Sequence, residues 1–191
     1  NSAAVVAHFQ ALAAAVDVPI VVQDYPPISG YAMEAELLAR IVREVPAAQT
    51  IKLEDPPTPR KIAALRNLCG PALKIFGGLG GTFLLEELLA GGDGAMTGFA
   101  YPEILLAIVR AFHGGRSDEA ASVFYRYAPL MRFEFQEGIG VAIRKEVLRR
   151  RGLVATATVR PPGPQLDAGT AVQLDRLLSW LRANYGEDAW I

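Results

Sequence analysis

Lysine is rarely placed at the mouth of a fold without a partner or a task, and Lys52 stands in such a place. In Ala48-Gln-Thr-Ile-Lys-Leu-Glu-Asp-Pro-Pro-Thr-Pro59 the run Thr50 to Leu53 reads as the end of a buried strand, and Pro56-Pro57 stops any ladder beyond it. Thr58 suits an N-cap and Pro59 a first helical residue, so a helix is expected from there to Leu68. Lys52 therefore lies at the C-terminal end of a strand that feeds a helix, the edge at which α/β proteins bind ligands. Desolvation lowers a lysine pKa and frees a nucleophilic amine suited to Schiff-base chemistry. A second reading stands beside this one: a surface lysine paired with Glu54 or Asp55.

Other chemistries have little material. Cys69 is the single cysteine, and His8 and His113 are the two histidines, so an intrachain disulfide is impossible and neither a zinc site nor a serine–histidine triad is expected. Both histidines read as helix-face residues. The net charge of −1 calls for neither nucleic acid nor an anionic membrane as partner. No 18-residue apolar run and no basic-then-apolar leader are found, which gives the expectation of a soluble, cytoplasmic protein. The first residue is not Met, and the chain opens on a helix with Ser2 as expected N-cap and Val5, Phe9, Leu12 and Val16 on one face, as a part of a longer protein would.

The elements that must position Lys52 alternate. Strands are expected at Pro19–Asp24, Thr50–Leu53, Ala72–Phe76 and Gly94–Gly98. Helices follow at Met33–Val45 (with Leu37, Leu38, Ile41 and Val42 at helical spacing), Thr58–Leu68, Phe83–Leu89 and Glu103–Phe112. Four βα units imply parallel strands, apolar on both faces, in a doubly wound sheet or part of a (β/α)8 barrel. After Gly114-Gly115 the pattern is helical: Ser117–Met131, Val141–Arg151 and, past Arg160-Pro-Pro-Gly-Pro164, Thr170–Asn184. The expected division is residues 1–115 and a helical appendage, residues 116–191.

The ordered set of Lys52 in Ile-Lys-Leu-Glu, the Gly77-Gly78 turn about 25 residues later, Gly91-Gly-Asp-Gly94 before a short strand, Pro102 opening a helix and a helical tail resembles the dihydrodipicolinate synthase and N-acetylneuraminate lyase superfamily. That resemblance implies a TIM barrel of which this chain carries strands five to eight, with the earlier half-barrel and its keto-acid-binding Gly-Thr-Thr type motif lying elsewhere, so that the chain alone is expected to be inactive. It also implies that Lys52 attacks the ketone of pyruvate or a 2-keto-3-deoxy sugar acid, and that the protonated imine stabilises an adjacent carbanion with no metal or cofactor. A homo-oligomer, tetramer or dimer, is implied as well.

Two family features are displaced. The proton-shuttling tyrosine, three residues before a proline on strand five, is replaced by Gln23; Tyr25, two residues on, either supplies the phenol or is a turn aromatic beside Pro26 and Pro27. The carboxylate-reading arginine is absent, with Ile28 or Ser29 near its place. A sugar-acid aldolase or dehydratase is therefore expected over the lysine-biosynthetic synthase. The alternative is a catalytically inactive barrel that binds a small keto acid or carboxylate.

Gly77–Gly81 lacks the Gly-Lys-Ser/Thr ending of a P-loop; Gly77 and Gly78 are instead expected to let backbone approach the substrate. Met96 borders the keto acid by the resemblance, and is core filler otherwise. Arg144, Lys145, Arg149, Arg150 and Arg151 read as a solvated helix face, and Phe124, Tyr125, Tyr127, Phe133 and Phe135 as tail packing or a subunit interface.

Overall fold

The computed structural model describes residues 1–186. Four strands, β1 (Val21–Asp24), β2 (Thr50–Leu53), β3 (Lys74–Gly77) and β4 (Gly94–Ala95), form one parallel sheet in the order β1-β2-β3-β4. The chain divides into two compact units, residues 1–78 with 83–96, and residues 79–82 with 97–191. The division falls near residue 97 rather than after the expected residue 115, because the helix that Pro102 opens packs on the helix that follows it.

The first unit holds the sheet with α1 (Ser2–Ala15), α2 (Pro26–Ser29), α3 (Ala35–Glu44), α4 (Thr58–Cys69) and α5 (Leu84–Leu89). Helices α1, α3, α4 and α5 touch in that order, side by side. Strands β1, β2 and β3 present Val22, Ile51 and Ile75 to a core that Leu38, Ile41, Ile62 and Leu65 help complete. The strands are not apolar on both faces, which the βα alternation had led us to expect. Burial alternates: Val21, Gln23 and Lys74 are exposed and Lys52 and Phe76 half-buried, so one face is packed and the other open.

Local expectations fail where a side chain has a better use. Asn1, not Ser2, caps α1, accepting from the Ala3 N–H at 3.0 Å. Val6 and Phe9 are the buried residues of α1, whereas Leu12 and Val16 are exposed. Thr58 is not a cap but the first residue of α4, and its hydroxyl is spent on a tertiary contact with α5. The turn after β1 is a short helix, α2, closed by Gly30 in the left-handed conformation. Away from the strands' C-terminal ends, Arg66 ties the turns together: it donates to the Gly70, Leu73 and Gly91 carbonyls and pairs with Asp93 at 2.7 Å, while Asp93 accepts the Ile75 N–H.

The second unit holds α6 (Pro102–His113), α7 (Ser117–Glu134), α8 (Gly140–Arg150) and α9 (Ala168–Tyr185). Asp167 caps α9 through the Thr170 N–H. Phe124, Tyr127 and Phe133 are buried with Leu130, Ile143 and Leu181, and Tyr125 is exposed. The basic residues read as a solvated helix face make ion pairs and hydrogen bonds there, with Arg149 and Arg150 exposed. Arg149 and Arg150 clasp Glu146, Arg150 also reaches Asp175, Lys145 donates to the Thr158 carbonyl, and Arg151 pairs with Glu103 while stacking over Tyr101. Arg144 donates to the Glu134 carbonyl. No helix among the described residues is long and apolar enough to cross a membrane.

Candidate active site

Parallel register sets three side chains in a row: Gln23 of β1 pairs with Lys52 of β2, and Lys52 with Phe76 of β3. The two-residue period puts this row on the open face and returns to that face at Glu54, just past β2. The Glu54 N–H donates to the Asp24 carbonyl at 2.9 Å, so one more rung fixes its backbone. Its Oε2 lies 3.0 Å from Lys52 Nζ and accepts a hydrogen bond from Gln23 Nε2 at 2.6 Å. The side chains of Lys52 and Glu54 are 21% and 9% exposed, so the amine is reachable while the carboxylate is almost enclosed.

Of the two carboxylates that sequence offered to Lys52, the geometry selects Glu54. Asp55 turns to the other side and joins Asp24 around Lys61, at 2.8 and 2.6 Å. That pairing is structural in character. Burial disfavours the Lys61 ammonium, but hydrogen bonds from it to Asp24 and Asp55 outweigh this and raise its pKa. Asp24 itself is fully buried, and desolvation pushes its carboxyl up despite the pull of Lys61.

Gly77 and Gly78 close the β3 end, both buried. Their lack of a side chain is required by the protein's own carboxyl groups. A Cβ on Gly77 would lie 1.7 Å from Glu87 Oε2, and one on Gly78 would lie 2.1 Å from Glu54 Oε1. Glu87, on α5, is fully buried, and its Oε1 accepts from the Thr58 hydroxyl at 2.5 Å. Burial raises its pKa to about 7, against the Thr58 hydrogen bond and with help from the charges of Glu86 and Glu54.

Met96 lies one residue beyond β4, 36% exposed, and its N–H donates to the Gly77 carbonyl at 2.8 Å. Tyr25 is not a continuation of β1. It precedes α2 with its carbonyl accepting from Ile28, Ser29 and the Ser29 hydroxyl, and among the described residues its own hydroxyl has no hydrogen-bond partner. Lys52, Gln23, Gly77 and Gly78 are thus brought together with Glu54, whereas the phenol of Tyr25 is not tied to them. Glu54 entered the sequence reading as an ion-pair partner alone; its spacing of two from Lys52 was the signal that both share a face. Glu87 had no such signal, since Leu-Leu-Glu-Glu-Leu-Leu offers two adjacent glutamates and nothing local selects the inner one. Among the described residues no group of three or more His, Cys, Asp or Glu side chains could hold a metal ion.

A strand-end amine beside an enclosed carboxylate can form an imine and move a proton next to it. Comparison with known proteins places the chain in a family. The chain is 35% identical over 161 residues to an L-2-keto-3-deoxyarabonate dehydratase of Azospirillum brasilense, covering 84% of this chain and 52% of that protein. It is 28% identical over 162 residues to a 4-hydroxy-tetrahydrodipicolinate synthase of Oleidesulfovibrio alaskensis, covering 83% and 55% respectively. Its fold matches the crystal structure of a dihydrodipicolinate synthase from Rhodopseudomonas palustris with a TM-score of 0.88 at 34% identity, covering 94% of this chain and 62% of the other. The chain therefore spans about half the length of the curated relatives it matches. Since the model of the Dihydrodipicolinate synthetase family matches residues 1–180, nearly the whole sequence, the chain belongs to that family.

Proposed function

We propose that this chain carries the lysine-bearing part of a Schiff-base lyase that acts on a 2-keto-3-deoxy sugar acid, with Lys52 as nucleophile and Glu54 as the acid–base group. The observation that carries this reading is the Lys52–Glu54–Gln23 constellation, in which one carboxylate oxygen serves both the amine and the amide. The four strands are then strands five to eight of a (β/α)8 barrel. A homo-oligomer working in the cytoplasm on small keto-acid and aldehyde substrates belongs to the same reading.

The chemistry follows from the positions. The amine of Lys52 adds to the C2 ketone, and loss of water leaves a protonated imine that withdraws electrons from C3. Glu54 takes the C3 proton, giving an enamine. In dehydration the enamine electrons form the C3=C4 bond, the C4–O bond breaks, and the proton on Glu54 leaves with the hydroxyl as water; one further water hydrolyses the imine and restores the amine. In aldol cleavage Glu54 takes the C4 hydroxyl proton from the imine in place of the C3 proton, and the C3–C4 bond breaks to release an aldehyde and leave the enamine. Glu54 then returns the proton to C3, and water hydrolyses the imine to pyruvate and the free amine. Gln23, standing where the family has its shuttling tyrosine, fixes the carboxylate oxygen that faces Lys52. Because its amide cannot relay a proton as a phenol can, the carboxylate carries that task. Gly77, Gly78 and Met96 border the acid, and Tyr25 contributes ring rather than phenol. Identity to a protein named as an L-2-keto-3-deoxyarabonate dehydratase favours dehydration over cleavage.

The test uses the full-length protein and a panel of 2-keto-3-deoxy acids of five and six carbons. Dehydrated keto acid as product supports the reading. Pyruvate with an aldehyde moves it to an aldolase. Binding of the acids with neither product leaves the inactive barrel.

A further inference from the structure

Glu87 is a fully buried carboxyl group that no step above uses. Its position is specific. Gly77 belongs to the packed row of the sheet with Asp24 and Leu53, so the side chain it lacks would point toward α5, and the Glu87 carboxyl fills that space. Gly78, one residue on, is open in the other direction, and there the Glu54 carboxyl fills the space. Two carboxyl groups thus approach one stretch of backbone from its two sides, with no side chain between them. Glu87 Oε1 is held by Thr58, at the start of the helix that β2 feeds, while Oε2 is buried without a hydrogen-bond partner.

We propose that Glu87 is a positioning residue for the Lys52–Glu54 pair, a buried carboxyl group packed behind Gly77 that in its protonated form leaves Glu54 turned to the lysine. The inference rests on the Schiff-base reading of that pair. A neutral acid can be buried with one oxygen unpartnered at modest cost, whereas an anion there would be an uncompensated buried charge. It would also repel Glu54 across the glycines, displacing the carboxylate that must receive the C3 proton. The titratable groups acting on Glu87 are Glu54 past β2 and Glu86 on its own helix, both of which favour the neutral form; α4 contributes the Thr58 hydroxyl, which favours the anion. Ionisation of Glu87 then sets a fall in turnover as pH rises through about 7.

The experiment records pH–rate profiles of the full-length protein on its keto acid, with the active fraction of each sample counted by borohydride trapping on Lys52. Glu87→Gln keeps a neutral group of the same shape and is expected to trap normally while the alkaline fall moves up by at least about one pH unit. Thr58→Val removes the hydrogen bond that favours the anion and is expected to move the fall upward too, by a smaller amount, with KM changed less than twofold. Glu87→Ala, lacking the group, is expected to lose about tenfold or more in kcat per trapped site at every pH. Profiles of Glu87→Gln and Thr58→Val that superimpose on the parent would overturn the proposal, and should Glu87→Gln fail to fold, an unmoved Thr58→Val profile does so alone. Failure of the parent to trap on Lys52 overturns the Schiff-base reading itself, and this inference with it.

Discussion

The two faces of the sheet at its C-terminal edge each place a lysine against carboxylates, and they do opposite things with it. On the packed side, Lys61 is 11% exposed and bound by two aspartates, Asp24 and Asp55, at 2.6 and 2.8 Å. On the open side, Lys52 is 21% exposed and meets one glutamate, whose facing oxygen is shared with an amide. Two anions around an enclosed ammonium fix its charge, tying α4 to the ends of β1 and β2. One carboxylate beside a reachable amine leaves room for a substrate and keeps a proton acceptor at hand. Burial alone would favour Lys61; the count and sharing of partners are why the proposal rests on Lys52.

The comparison breaks most sharply by substitution. Lys52→Ala is expected to abolish imine formation and lower kcat/KM by at least about 10³-fold, measured with the full-length protein, with a smaller loss of stability than Lys61→Met because Glu54 keeps its hydrogen bond from Gln23. Glu54→Gln keeps the shape and the contact with Gln23 but removes the base; kcat is expected to fall about 10²-fold with imine trapping retained, so that binding and proton transfer separate in steady-state and trapping assays. Lys61→Met is the converse case. It leaves Asp24 buried without its cation and is expected to cost on the order of 3 kcal/mol in denaturant unfolding, with trapping on Lys52 intact in the folded fraction.

A smaller effect sharpens the same contrast through pH. Glu87 in the first unit and Glu134 in the second are both buried carboxyls with pKa raised to about 7, chiefly by desolvation. Glu134 accepts the Ala100 N–H at 2.9 Å, and its other oxygen has no hydrogen-bond partner. Below the ordinary carboxyl range the folded and unfolded chains are both protonated. As pH rises toward 7 the unfolded chain releases its proton first, so stability falls through that window and levels off above it. Each group contributes a loss of order 2 kcal/mol. Calorimetry should give a higher melting temperature at pH 5 than at pH 8, with Glu87→Gln and Glu134→Gln each flattening the slope.

The position of Lys52 was legible because local chemistry marks it: a β-branched run ends in Pro56-Pro57, and a helix begins at once. Element order and the approximate bounds of seven of the longer helices were legible for the same reason. The uses of Thr58 and Glu87 were not. Thr58 has the right residue type for a cap, yet its hydroxyl is directed at Glu87, 29 residues away, and no local rule foresees that exchange. Gly77 and Gly78 read as letting backbone approach the substrate; that two carboxyl groups of the same chain also fill the space beside them depends on which strand face each glycine occupies. The open face was misread as apolar because the sheet was expected to be covered on both sides, while Gln23 and Lys52 on that face are polar and accessible.

The most direct test of the central claim is to incubate the full-length protein with a 2-keto-3-deoxy acid or pyruvate, reduce with borohydride, and map the modified lysine by mass spectrometry. The account predicts the added mass on Lys52 and an unmodified Lys61. Modification of Lys61, or an unmodified Lys52 in folded protein shown to bind the acid, would contradict it.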